Sequence, residues 1–328
     1  MFKRFFVIKF IFIYLFCQPI FAAKTFGERD DVKKFIHHMV QKYHFDEKEL
    51  MDVFNSVELR PTVISSIKAP LEINPWYKYQ SLFLTEERMR EGVAFWKKHK
   101  ATLERAEKIF GVPAEIIVST IGIETKYGKN KGDYRVIDAL TNLAFSRTSR
   151  APYFRKELEE FLLLSREKHL NPLHILGSYA GAIGQPQFMP SSYRTYAINF
   201  SGSGKIDLSN NVDDVIGSIA NYYQKHGWLK NKPVAMPATV KGLRYYSLAN
   251  KKKSITVGNL SAYGIYPDGY VDEDDKAKLI RLEGVDKKEY WLSFHNFDVI
   301  KQYNTSTLYA MAVYQLGEYI TAIKGKST

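Results

Sequence analysis

The chain has 328 residues and a net charge of +12, with 45% hydrophobic and 25% charged residues. This composition excludes disordered and fibrous proteins and allows two or three compact units with sizeable cores. The basic charge favours an anionic polymer as a partner. No groove-reading module with clustered Lys and Arg is visible, so we expect no nucleic-acid partner.

The first 22 residues have the pattern of a secretory signal peptide. Two cations precede the apolar run 5–16, and Ala22 supplies the small residue that a signal peptidase requires. We therefore expect cleavage after Ala22 and a periplasmic mature protein. Two alternatives remain open: an uncleaved membrane anchor, for which the run is short, and an outer-membrane lipoprotein attached through Cys17. Bulky Phe16 argues against lipid attachment at the neighbouring cysteine.

Helical patterns fill the first part of the mature chain. Apolar residues recur at helical spacing across 30–43 and 46–54, and a proline-punctuated connector follows. Thr85, followed by two glutamates, predicts the start of one long helix that continues to about Phe110. We assign residues 23–100 to an N-terminal helical domain.

The apolar stretch 116–128 contains a single acid, Glu124. Pro113 suits the first turn of a helix and Gly128 suits its end. This helix belongs to a predicted helical core, residues 101–232, in which 138–145 and 153–170 also have helical patterns.

Glu124 shares one helix face with Ile117 and Ile121, which precede it by seven and three positions, so its carboxyl group should point inward. Partial desolvation and the negative end of the helix dipole both disfavour a charged carboxylate there. A raised pKa is what a general acid needs near neutral pH. The stretch alone also allows a structural glutamate that reaches solvent or pairs with Lys126 or Arg135.

A second informative stretch, residues 177–193, is rich in glycine and proline. Glycines let backbones approach closely, prolines fix turns, and Ser178 and Gln187 supply neutral hydrogen-bonding groups. The composition is typical of a groove wall. An ordinary Gly-rich loop, ending at a helix N-cap at Ser191, fits the same pattern.

The composition changes from residue 233 onward. Short strands are predicted at 234–240, 278–282 and 290–294, separated by turns rich in Gly, Asp and Lys. We assign 233–300 to a small antiparallel β subdomain, inserted before the last core helix in 301–328. The fold class predicted from these patterns is α+β and mostly α.

Five segments together resemble the lytic murein transglycosylases of the B type. The resemblance spans nearly the whole mature chain, and it implies a lysozyme-like helical core that carries Glu124. The segments, in chain order, are NPWYKYQSLFLTEERM, IGIETKYG, GSYAGAIGQPQFMPSSY, VIGSIANYYQKHGW and QYNTSTLYAMAVYQLG.

The resemblance implies cleavage of the β-1,4 bond between N-acetylmuramic acid and N-acetylglucosamine in peptidoglycan, with release of a 1,6-anhydromuramyl end. Glu124 matches the family's catalytic acid, which then acts as the base. Hydrolytic glycosidases need a second carboxylate about 5–9.5 Å away, and no second acid in a comparable apolar context is visible. Asp133 and Asp138 are near in sequence, but neither needs to face the site. A hydrolytic muramidase and a non-catalytic cell-wall-binding protein remain the alternatives.

Six positions match the family's substrate-contacting residues. Tyrosines offer flat faces for sugar rings, and Ser, Gln and Asn can hold N-acetyl groups without adding charge. The chain departs from the family at Gln185 and Pro186, where relatives often have Tyr-Gly. Two of the tyrosines, at 222 and 309, also fit a purely structural role in the core. The positions are Ser178, Gln187, Tyr222, Tyr303, Asn304 and Tyr309.

The loop from Asn199 to Asp214 resembles the EF-hand-like loop that some relatives use for Ca²⁺. A Ca²⁺ loop depends on early carboxylates and a glycine at the sixth position. Here Gly204 is present, but Asn199, Ser201 and Ser203 replace the acids. We therefore expect a metal-free turn and no required cofactor, with bound calcium as the alternative. We expect a monomer whose partners are peptidoglycan glycan strands and other cell-wall remodelling enzymes.

Overall fold

A computed structural model describes residues 25–66, 73–249, 251 and 253–326. The predicted signal peptide and Cys17 lie outside the described residues. Within them, no helix combines the length and the apolar character that a membrane span requires. The chain divides into two compact units, of which the first ends at Ser56 and the second begins at Val57.

The first unit consists of a short 3-10 helix and two α-helices, α1 (Asp30–Tyr43) and α2 (Glu47–Asn55). α1 ends because His44 adopts the left-handed conformation, and α2 begins where the Asp46 side chain accepts a hydrogen bond from the Glu49 amide. The two helices share a buried core in which the Phe35 and Phe54 rings meet edge to face at 5.9 Å.

The second unit begins with four helices: α3 (Pro61–Ser66), α4 (Trp76–Phe83), α5 (Glu86–Lys98) and α6 (Lys100–Phe110). The prediction of one helix from Thr85 to Phe110 is wrong, because the backbone leaves the helical conformation at His99. The bend lets each half pack on a different neighbour: α5 lies against the last helix of the chain, and α6 lies against α11 (Val212–Lys225).

Four helices and two short strands lie between α6 and α11. The helices are α7 (Ala114–Thr125), α8 (Val136–Ala144), α9 (Ala151–Glu167) and α10 (Pro190–Tyr196). Two strands of two residues each, β1 (Tyr134–Arg135) and β2 (Leu176–Gly177), pair antiparallel. The predicted helices at 138–145 and 153–170 are confirmed, with both ends shifted by one to three residues.

The inserted β subdomain is a five-stranded sheet in the order β4-β6-β7-β3-β5, and its neighbours pair antiparallel. Its own core includes Leu279, Leu292 and Ile265. The three predicted strands are confirmed, whereas the short strands β4 and β5 were not predicted. The strands are β3 (Ala235–Val240), β4 (Ile255–Thr256), β5 (Ile265–Pro267), β6 (Lys276–Glu283) and β7 (Lys288–Ser293).

Two helices close the described chain, α12 (His295–Tyr303) and α13 (Thr307–Lys326). α13 packs against both α5 and α7, so the C-terminal segment belongs to the helical core. The predicted mostly helical α+β fold with an inserted antiparallel sheet is confirmed. The predicted domain boundaries after residues 100, 232 and 300 stay predictions.

Candidate active site

Glu124 lies in the last turn of α7. Every other residue from 116 to 125 is buried, whereas Glu124 is half-buried. The helix ends there because Lys126, Tyr127 and Gly128 all have positive φ angles, of 50°, 58° and 84°. The carboxyl group therefore stands at the edge of an apolar core, where one side of it can meet a ligand.

The two cations that could have paired with Glu124 are bound elsewhere. The Lys126 ammonium lies 2.9 Å from a carboxylate oxygen of Glu87. Arg135 donates two hydrogen bonds of 2.8 Å to Asp138. Both cations therefore have carboxylate partners other than Glu124.

The hydroxyl of Tyr309, on α13, donates a hydrogen bond of 2.5 Å to Oε1 of Glu124. Tyr309 is buried, and burial together with the negative charge of Glu124 holds the pKa of this phenol well above its usual value. The hydroxyl therefore stays protonated and remains a donor. A short bond to a buried, packed ring fixes the orientation of the carboxyl group.

Thr125 connects the end of α7 to the Gly-rich segment. Its hydroxyl accepts a 3.0 Å hydrogen bond from the Gly128 amide and donates a 3.0 Å bond to the Gln185 carbonyl. Nearby, Gly132 has a φ of +89°, and a Cβ there would lie 2.1 Å from the carbonyl oxygen of Gly177. Only glycine allows this close approach, which brings the start of the segment beside the helix end.

The side chains of Ser178 and Gln187 are both fixed by hydrogen bonds to backbone groups. The Ser178 hydroxyl accepts hydrogen bonds from the Ala182 and Ala180 amides. The Gln187 side-chain nitrogen donates to the carbonyls of Lys131 (3.1 Å) and Gly184 (2.8 Å). Because both partners are acceptors, the amide orientation is determined, and the Gln187 side chain can offer a ligand only its oxygen.

The predicted tyrosines form one aromatic cluster beside Glu124. The Tyr303 ring stacks on Tyr309 at 6.4 Å and 11°, and it meets Tyr222 edge to face at 4.9 Å. The Tyr303 hydroxyl donates to the Pro186 carbonyl, which ties the cluster to the Gly-rich segment. The Tyr222 hydroxyl donates to the Gln302 carbonyl at 2.7 Å, so its buried ring, rather than its hydroxyl, shapes the wall.

Asn304 lies between α12 and α13, where its side-chain oxygen accepts a hydrogen bond from the Ser306 amide at 3.0 Å. The sequence interpretation missed further members of the cluster, among them Phe188 and Tyr223. Phe188 lies 5.8 Å from Tyr303, and the Tyr223 hydroxyl shares a 2.9 Å hydrogen bond with Thr120 of α7. The two consecutive tyrosines at 222 and 223 were the sequence feature that could have indicated Tyr223 as a member of the cluster.

Asp138, which follows Glu124 by 14 positions, has a structural role. It is fully buried on α8, and besides its two bonds from Arg135 it accepts a 3.1 Å bond from the Glu58 amide. A carboxylate held in this way joins α8 to the start of the second unit. It is not a candidate for the second carboxylate of a hydrolase.

Comparison with known proteins decides the family. The model of the transglycosylase SLT domain matches residues 27–318. The chain belongs to this family. Membrane-bound lytic murein transglycosylase B of Escherichia coli (strain K12) is 40% identical over 306 residues, which is 90% of this chain and 84% of the relative.

Solved structures agree with this assignment. Soluble lytic transglycosylase SltB1 from Pseudomonas aeruginosa is 43% identical, with a TM-score of 0.85 over 90% of this chain and 99% of that chain. SltB3 from the same organism, in complex with NAG-NAM-pentapeptide, is 26% identical, with a TM-score of 0.81 over 91% and 80% of the two chains. The predicted lysozyme-like fold and lytic transglycosylase class are confirmed.

In the candidate calcium loop of this transglycosylase, the side chains proposed as ligands form hydrogen bonds with other groups of the loop. Asp214 is fully buried, and its two oxygens accept from the amides of Ser201 (2.8 Å) and Asp207 (3.1 Å). The Ser201 hydroxyl bonds to the side chains of Asn199 and Ser203. Asp214 supplies the one carboxylate of the four candidate ligands, whereas Ca²⁺ takes six to eight oxygens. This donor set does not fit the ion.

Proposed function

We propose that this lytic transglycosylase cleaves the β-1,4 bond between N-acetylmuramic acid and N-acetylglucosamine in peptidoglycan. Glu124 protonates the glycosidic oxygen, so that the glycosidic bond breaks at the muramyl anomeric carbon. The resulting carboxylate then removes the proton of the muramyl 6-hydroxyl, which attacks that carbon and closes the 1,6-anhydro ring. The observation that carries this proposal is the half-buried carboxyl group of Glu124, oriented by the Tyr309 hydroxyl.

One carboxyl group is sufficient for both proton transfers. The first transfer leaves Glu124 as a carboxylate, which is the form that a base requires. Hydrolytic glycosidases instead keep a second carboxylate within about 5–9.5 Å. The binding of Asp138 to Arg135 and to a backbone amide supports the intramolecular route over hydrolysis.

The groove wall supports binding of N-acetylated sugars. Tyr303, a partly exposed member of the aromatic cluster, offers an apolar ring face beside the acid, which suits the face of a sugar ring. We propose that the Gln187 oxygen accepts a hydrogen bond from an acetamido N–H, since its nitrogen is already bonded. Ser178 and Asn304 complete the proposed neutral contacts.

The test is mass spectrometry of purified peptidoglycan digested by the wild type and by Glu124→Gln. We expect products that are lighter by one water molecule than muramidase fragments, and a loss of activity by orders of magnitude in the variant. The amide keeps the shape of the side chain, so the variant should retain its circular-dichroism spectrum and melting temperature.

Other outcomes would select an alternative. Products of full mass with a reducing end would identify a hydrolytic muramidase. Binding to peptidoglycan without any cleavage by the wild type would identify a non-catalytic wall-binding protein. An unfolded Glu124→Gln variant would assign the glutamate a structural role.

We also propose that the enzyme is periplasmic and needs no metal. The support is the signal pattern before Ala22, the basic charge and the hydrogen-bonded loop around Asp214. Cell fractionation with N-terminal sequencing tests the location: a mature form that begins at Ala23 is expected. A lipid-modified Cys17 as the first residue would contradict it.

A further inference from the structure

A cavity of about 340 Å³ lies between strand β6 and the junction of helices α12 and α13. Thr307 and Leu308 form one wall. They directly precede Tyr309, whose hydroxyl donates to Glu124. Because successive helix residues point about 100° apart, the cavity and the acid lie on neighbouring sides of the first turn of α13.

The cavity is positively charged. Four cationic residues line it: Lys278 and Arg281 on β6, Lys301 on α12, and Lys251 before β4. One carboxylate among the described lining residues, Asp298, lies 2.5 Å from the Lys278 ammonium. The Lys301 ammonium donates one hydrogen bond of 3.1 Å to the Thr307 hydroxyl. An ammonium group has three donors, so Lys301 can also bind a ligand carboxylate.

The backbone edge of β6 faces this cavity. Five consecutive residues, 278–282, line it, although the side chains of a strand alternate between its two faces. Within the described part of the chain, β4 pairs with β6 only at Lys276 and Ala277. From Lys278 to Glu283 the pairing partner is β7, on the other side. A strand edge of this kind can bind an extended peptide through main-chain hydrogen bonds.

We propose that this cavity binds an acidic, extended peptide, namely the stem peptide carried by the muramyl residue of the glycan substrate. The inference rests on the proposed function. Stem peptides bear several carboxylates, which complement the four cations of the lining, and a peptide backbone complements the β6 edge. The cavity adjoins the first turn of α13, so a stem can reach it while its sugar lies beside Glu124.

The experiment compares two substrate pools, glycan strands that carry stem peptides and strands from which an amidase has removed them. The rate of anhydro-product release is measured against substrate concentration for the wild type, Lys301→Gln and Arg281→Gln. Both variants should raise KM roughly tenfold on the peptide-bearing strands, with kcat unchanged. On the bare strands both should match the wild type.

Lys287→Gln is the matched control, since it removes the same charge from an exposed turn of the same β subdomain. It should match the wild type on both pools. Equal losses on both pools, or no loss on either, would overturn the proposal. Melting temperatures identify any variant that fails to fold. If one of the two cavity variants fails to fold, the kinetics of the other one test the proposal.

Failure of the proposed function has a separate signature, because the wild type would then cleave neither pool. In that case the free tripeptide L-alanyl-γ-D-glutamyl-diaminopimelate is titrated into the wild type and Lys301→Gln by calorimetry. Binding that the variant weakens supports the cavity as a peptide site. Absence of binding to the wild type overturns it.

Discussion

Replacing Tyr309 by phenylalanine tests the contact that orients the proposed acid. The change removes one hydroxyl and keeps a ring that is only 3% exposed. The lost 2.5 Å bond has a carboxylate acceptor, and bonds to charged groups contribute about 1.5–3 kcal/mol. When the acid loses its orientation, the transition state loses this energy, and kcat falls roughly 10- to 150-fold. Because Glu124 is half-buried, water replaces the hydroxyl, and the free energy of unfolding should change by less than about 1 kcal/mol.

The assay is chromatographic measurement of anhydro-product release, with kcat and KM determined separately. We expect Tyr309→Phe to lower kcat with little change in KM, since the hydroxyl bonds to the acid. Tyr319→Phe is the control, because it makes the same change on the same helix at a ring that is 44% exposed. A kcat for Tyr309→Phe within twofold of the wild type, or an equal loss in Tyr319→Phe, would refute the reasoning.

Three further predictions concern the framework. In a urea titration, Gly132→Ala should lower the unfolding free energy by more than about 3 kcal/mol, because it combines a positive φ with a Cβ 2.1 Å from a backbone oxygen. The control Gly242→Ala has open space around its Cβ at a φ of +71° and should lower the unfolding free energy by about 1 kcal/mol. Asp138→Asn should cost about 3 kcal/mol by leaving its buried ion pair broken, and an unchanged melting temperature would count against this account. In calorimetry, calcium should leave the melting temperature of the wild type unchanged and raise that of a variant combining Asn199→Asp with Ser203→Asp; a rise in the wild type would contradict the metal-free loop.

Local patterns predicted most of the secondary structure. The end of α7 near Gly128 and the three longer strands follow from turn residues and apolar periodicity. The break at His99 was missed because apolar spacing continues through it, and the bend depends on α5 and α6 packing against different helices. Strands β4 and β5 were missed because two or three residues carry no recognisable period and become strands only by pairing with β6 and β3.

The sequence by itself determined the family, the mostly helical fold and the identity of the candidate acid. These depend on residue types and their spacing within short segments, which hydrophobic burial and turn geometry translate into local structure. Only the tertiary structure decided which groups meet. The hydrogen bond between Glu124 and Tyr309 joins residues 185 positions apart, and it exists because α7 packs against α13. The loop closed by Asp214 and the edge of β6 beside Lys301 are likewise products of packing, which no single segment contains.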